Sequence, residues 1–160
     1  MYEDSEAAYQ ELLRRGVPPN RIILLGHSLG SGPAVQLATR HQAAALVLFG
    51  AFTSIPDAAA ERYPYLPVRL AVAIQFNSLA RIGDVHMPVV IAHSRGDTLI
   101  PYSHALKLFA AANDPKHLIT FDSVTDDGFG GHVDALYEHV DILRSALAEL
   151  LPVIPAPLEL

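Results

Sequence analysis

The segment Gly26-His27-Ser28-Leu29-Gly30 sets a serine between two glycines, directly after the apolar run 21–25 and before a helical pattern. A serine hydroxyl becomes a useful nucleophile when a tight strand-to-helix turn holds it in the open and a base lies within reach. Gly26 and Gly30 suit such a turn, the nucleophile elbow, because side chains flanking the serine would collide there. The amino end of the next helix would offer N–H groups and a positive dipole end to charge growing on a substrate carbonyl oxygen, with the Leu29 N–H as first oxyanion donor. The plain alternative is a Gly-rich turn that merely contains a serine. The strand before it and the helix after it favour the chemical reading.

Such a serine needs a base and an orienting acid from other strand ends. Asp97, in "HSRGDTLIP", follows one apolar run and precedes a helix, while His132, in "TDDGFGGHVDAL", follows another run and opens a helix. His132 would take the Ser28 proton, and Asp97 would hold the imidazole tautomer and stabilise its charged form. Each also has a plainer reading, Asp97 as a turn residue and His132 as a helix-start residue. Asp126 and Asp127 are rival acids, but they share the loop of His132. His27 and Phe52 are candidate pocket-lining residues. His27 and His93 stand at strand ends, where they line a pocket or fill space, whereas His104, His117 and His139 read as surface or helix-face residues. No HExxH or paired ligand spacing points to a metal, and the glycines lack the G-x-G-x-x-G order of a phosphate loop.

The elements that would carry these residues alternate. A helix is predicted from Asp4 or Ser5 to Arg15, ended by Gly16 and Pro18-Pro19, followed by a strand at 21–25 and a helix in "SGPAVQLATRH". Further strands are predicted at 44–50, 87–93 and 117–121, a helix at 101–112, and a last helix at about 133–151 with Val133, Leu136, Tyr137, Val140, Leu143, Leu147 and Leu150 on one stripe. Strands alternating with helices predict an α/β fold, a mostly parallel sheet with helices on both faces. The apolar insert at about 51–86 is read as two short helices, one around Asp57–Glu61 and one started by Pro67, packing over the sheet or covering a pocket.

Composition bounds the function. The formal charge of −6, with no cluster of Lys and Arg, offers no footprint for nucleic acid or an anionic membrane surface. The absence of cysteine excludes disulfides, thiolate metal sites and a cysteine nucleophile. The acidic start lacks a signal-peptide pattern and no apolar run reaches the roughly 18 residues of a spanning helix, so a cytoplasmic protein acting on a small molecule is expected.

At this point the chain resembles the α/β-hydrolase superfamily. The segments "GHSLGSGPAVQLAT", "YPYLPVRL", "FNSLARI", "MPVVIAHSRGD" and the final "GGH" are similar to the serine-hydrolase branch that includes serine aminopeptidases and acyl-protein thioesterases. The resemblance runs from Met1 to about Leu151, leaving 152–160 as a tail. It implies a Ser-His-Asp hydrolase of esters, thioesters or amides, working on an acyl substrate without a cofactor. Ser28 then matches the nucleophile, Asp97 the acid, His132 the base and Leu29 the residue after the nucleophile.

The pattern departs from the family in three places. Ser94 stands where relatives carry glycine in the His-Gly-x-x-Asp turn, and the loop "DSVTDDGFGGH" is longer than usual. Relatives also have several strands and a helix before the matched segment, including the loop that gives the second oxyanion N–H. The resemblance therefore leads us to expect an amino-terminally truncated domain, with a loss of about 10²–10³ in rate for a missing donor. It further implies that "RIILL" becomes an open edge strand, through which the chain would form a homo-oligomer, for example a two-fold dimer. A self-associating scaffold with an impaired site is the alternative to a working hydrolase.

Overall fold

The computed structural model describes residues 1–67, 75–122, 131–133 and 140–151. Strands β1 (Ile23–His27), β2 (Ala45–Phe49), β3 (Val89–Ser94) and β4 (Lys116–Phe121) form one fully parallel sheet in the order β1-β2-β3-β4. Its register sets Ile23 beside Ala45, Leu46 beside Val89 and Ala92 beside Ile119. The helices are α1 (Tyr2–Arg14), α2 (Ser31–Ala38), α3 (Ile55–Arg62), α4 (Ser103–Ala111) and α5 (Val140–Leu150). The predicted α/β class, with strands alternating with helices, is the observed one.

The near-continuous apolar runs of β2 and β3 are explained by burial on both faces. Leu24, Leu46, Leu48, Val89 and Ile91 face a core shared with Tyr9 of α1, Val35 of α2 and Leu108 of α4. The alternate residues Val47, Phe49, Val90, Ala92, Ile119 and Phe121 face a second core built with Leu143, Ala146 and Leu147 of α5. A full-length apolar side chain buried this way contributes roughly 1.5–3 kcal/mol. The sheet is thus clamped between layers, which holds its carboxyl-terminal ends in fixed relation.

Several element bounds differ from expectation for local reasons. β1 begins at Ile23 rather than Arg21, because Pro19–Arg21 forms a short 3-10 turn and prolines cannot donate to a ladder. The strand consequently runs to His27, directly before Ser28. α1 starts at Tyr2 and ends through a Gly16 at φ +82, with Gly16 N–H donating to Leu13 O and Val17 N–H to Leu12 O. These paired bonds satisfy carbonyls that a helix end leaves open. α3 is longer than Asp57–Glu61 because Ser54 caps it, its hydroxyl accepting the Asp57 N–H at 3.1 Å, with proline in the first turn. The helix predicted from Pro67 falls on 68–74, outside the described residues; of the last helix, Val133, its expected start, lies in a turn, and 134–139 are outside the described residues.

β1 has no neighbour on its outer side among the described residues. Ile23 and Leu25 lie on the opposite face from the buried Leu24 and are 41% and 51% exposed, so the apolar run is only half buried. Among the described residues no helix is long and apolar enough to cross a membrane.

Candidate active site

The end of β1 delivers Ser28 into a turn of unusual shape. Ser28 has φ +49, a left-handed conformation that a side chain adopts only at a cost of about 1–3 kcal/mol. A Cβ on Gly26 would stand 2.7 Å from Ser31 Cα and 2.8 Å from both Ala34 Cβ and Gly30 O, so no side chain fits there. Gly30 is different: an added Cβ would meet nothing within 4 Å, and the expected collision holds on one flank of the serine only. The reason is direction, since the chain turns into a short 3-10 segment at Ser28–Gly30 that carries residue 30 outward. Leu29 follows in this first turn, where helix N–H groups have no intrahelical partner; its side chain is exposed.

His132 Nε2 lies 2.8 Å from Ser28 Oγ, and His132 Nδ1 lies 2.6 Å from Asp97 Oδ2. A carboxylate only accepts, so Nδ1 carries the proton and Nε2 is left to accept from the hydroxyl. Residues from the ends of β1 and β3 and from the segment after β4 are thereby joined in one relay. Asp97 and His132 are buried while Ser28 is part-exposed, so the chain of bonds runs from interior to surface. This arrangement can move a proton off a hydroxyl and hold the resulting imidazolium against a fixed carboxylate.

Asp97 sits in an Asx-type turn. Its Oδ1 accepts the N–H groups of Leu99 at 2.9 Å and Ile100 at 2.8 Å. Burial pushes its carboxyl up, but the bonds from His132, His93 and the Ile100 N–H outweigh burial and hold its pKa down to about 2. Ser94 Oγ accepts the Gly96 N–H at 3.2 Å and so helps to close this turn. Rival acids Asp126 and Asp127 lie outside the described residues.

Three supports were not read from the sequence as such. Gly50, just past β2, has φ +54, and a Cβ there would come 3.0 Å from His132 Cε1 and 3.2 Å from Nδ1. The imidazole occupies the space that a side chain would need. His27 does not line the neighbouring cavity; its Nε2–H donates to the His132 carbonyl oxygen at 2.9 Å and its ring stands 5.4 Å from that of His132. His104, read as a surface or helix-face residue, lies on the inner face of α4 with Ala105 and Leu108 and is fully buried. Its Nδ1 accepts the Thr53 N–H at 3.1 Å, and burial holds its pKa below the ordinary value. His117 is half-buried on β4, and His139 lies outside the described residues.

Beside Ser28 opens a cavity of about 420 Å³ lined by the apolar Phe52, Ile55, Ala58, Leu99 and Ile100 together with Arg62 and Tyr63. Phe52, a candidate pocket residue, is among those lining it, and α3, from the apolar insert, forms one wall. Among the described residues no group of three or more metal-binding side chains is gathered.

No protein-family model matches the chain. It is 38% identical over 122 residues to an uncharacterised protein of Mycobacterium tuberculosis, covering 76% of this chain and 43% of that protein. It is 32% identical over 117 residues to human alpha/beta hydrolase domain-containing protein 17B, covering 72% of this chain and 39% of the relative. The chain therefore spans less than half the length of these curated relatives. Among solved structures it is similar to the esterase domain of a Rhodothermus marinus protein (TM-score 0.69, 23% identity, 94% of this chain and 69% of that one). It also superposes on the acylaminoacyl peptidase of Pyrococcus horikoshii (TM-score 0.74, 13% identity, 99% and 29%). Fold, relatives and the strand-turn-helix around Ser28 agree: the chain belongs to the α/β-hydrolase superfamily.

A carboxyl group held below its ordinary 3.8 stabilises the fold above that value, and the contribution is lost as the pH falls through about 2. Asp97→Asn is expected to cost on the order of 2 kcal/mol at neutral pH, with the gap to wild type closing between about pH 4 and pH 2. Urea denaturation across that range measures it; a gap independent of pH would contradict the buried, donor-rich carboxylate.

Proposed function

We propose that this chain carries the acyl-transfer centre of a serine hydrolase that cleaves an ester, thioester or amide through an acyl-enzyme on Ser28. The observation that supports this most is the continuous relay from Ser28 Oγ through His132 to Asp97, at 2.8 and 2.6 Å. His132 takes the hydroxyl proton as Ser28 Oγ attacks the substrate carbonyl carbon, and the carbonyl oxygen becomes an oxyanion beside the Leu29 N–H. The same proton passes from His132 to the departing alcohol, thiol or amine as the tetrahedral intermediate collapses. Water, deprotonated by His132, then releases the acid and restores the serine. No cofactor is needed for any of these transfers.

The cavity beside Ser28 supports a largely apolar acyl group as the bound part of a small-molecule substrate, because Phe52, Ile55, Ala58, Leu99 and Ile100 supply most of its lining, to which Arg62 adds a positive charge. Solved structures named as an esterase and an acylaminoacyl peptidase fit the same bond class. The segment similarities to serine aminopeptidases and acyl-protein thioesterases fit it as well. Hydrolysis of p-nitrophenyl butyrate should fall by about 10³-fold or more in Ser28→Ala with the fold intact by circular dichroism. Equal rates for the two proteins would end this reading.

A second reading, a self-associating scaffold, is favoured by one observation: β1 is an edge of the described sheet and carries the exposed apolar Ile23 and Leu25. Pairing of two copies along this edge predicts a dimer in sedimentation that Leu25→Lys dissociates. A monomer at micromolar concentration would count against it.

A further inference from the structure

A second imidazole touches Asp97 that the acyl-transfer steps do not use. His93, near the end of β3, is fully buried, and its Nε2 lies 2.8 Å from the Ile100 carbonyl oxygen and 3.2 Å from Asp97 Oδ2. Both are acceptors, so the proton sits on Nε2. Nδ1 has no hydrogen-bond partner among the described residues, so nothing there competes for the tautomer. Ile100 is gripped twice, its N–H donating to Asp97 Oδ1 and its carbonyl accepting from His93. His93, Asp97 and Ile100 thus form a closed ring of bonds that ties the Asp97 turn to β3.

The two carboxylate oxygens of Asp97 are held differently. Oδ1 is fixed by backbone N–H groups of its own turn, which set its position but leave the tilt of the carboxylate plane to contacts at Oδ2. Oδ2 faces His132 on one side and His93 on the other. His132 belongs to a separate stretch of chain, whereas His93 is anchored in the ladder of a central strand, opposite Thr120 of β4. Of the two, His93 is the rigid reference.

We propose that His93 is a positioning residue of the relay: its Nε2–H, shared between the Ile100 carbonyl and Asp97 Oδ2, fixes the carboxylate so that Oδ2 meets His132 Nδ1. Its functional meaning rests on the acyl-transfer reading above. The same bond sets Ile100, which lines the cavity beside Ser28, so one buried side chain aligns both the relay and a wall of the pocket. Among the described residues the polar and titratable groups around this pair are few. Tyr102 and His104 adjoin His93, while His27 and Ser28 face His132.

The test compares the whole chain with three variants. His93→Gln keeps an N–H donor at nearly the same reach, His93→Asn draws the donor back toward the strand, and His93→Leu removes it. The first readout is the low-field proton NMR signal of the His132 Nδ1–H bound to Asp97, which needs no turnover. Wild type and His93→Gln should share this signal, and His93→Asn and His93→Leu should displace or lose it. The second readout is p-nitrophenyl butyrate hydrolysis, in which the Asn and Leu variants should lose about 10-fold in kcat with KM within about twofold, and Gln should restore it. An unchanged low-field signal in His93→Asn overturns the proposal, also where His93→Leu fails to fold, as does a kcat loss in Gln equal to that in Leu. A wild type that gives the signal without hydrolysis refutes the acyl-transfer reading alone, and the signal still decides the role of His93.

Discussion

A carboxylate placed inside a protein must be surrounded by donors or give up its charge, and the organisation of this fold around Asp97 follows from that constraint. Two backbone N–H groups take one oxygen, and two imidazoles take the other. The donors come from three places in the chain: the turn itself, β3, and the segment that carries His132. Satisfying one buried charge therefore brings remote stretches of sequence together above the sheet. The Ser28 hydroxyl is the outermost member of the same network, where it meets the cavity.

The sheet supplies what this network cannot make for itself, a fixed spacing of chain ends. In a parallel sheet all carboxyl-terminal ends lie on one side, and ligand sites collect there. β1 ends on His27 and releases Ser28, β2 ends beside Gly50, and β3 ends beside Asp97. Each end contributes a different commodity: a strained serine, an empty space for the imidazole, and the charge that orients it. Helices packed on both faces keep the strands from sliding, so the 2.8 and 2.6 Å contacts inherit the rigidity of two apolar cores. The left-handed Ser28 is tolerated because Gly26 lets the following helix approach so closely.

How much of this could be read from sequence varied with how local the cause was. Ser28 was legible because glycine spacing, a preceding strand and a following helix are all written within a dozen residues. Asp97 was legible as a residue just past an apolar run and His132 as one behind a glycine pair in the loop after another, and the parallel α/β sheet followed from the alternation of elements. Gly50 was not, since the reason for its lack of a side chain is an imidazole far away in the chain. Burial of His104 was hidden as well, because a histidine beside Ala105 and Leu108 gives the same periodic pattern whether it faces Thr53 or water. The shift of β1 toward Ser28 was encoded in Pro18 and Pro19, which act on the strand that follows as well as on the helix before. Gly30 misled for the opposite reason: motif spacing names two glycines, and only one of them is pressed by backbone.

In the proposed acyl-transfer mechanism Ser28 is a nucleophile whose reactivity depends on His132. Intact and peptide mass measurement after treatment with a fluorophosphonate tests it most directly, because the reagent needs an activated hydroxyl and no knowledge of the natural substrate. A single adduct on Ser28 is expected, formed far more slowly in His132→Gln of unchanged fold. No adduct on Ser28, or one that forms at the same rate without the imidazole, would contradict it.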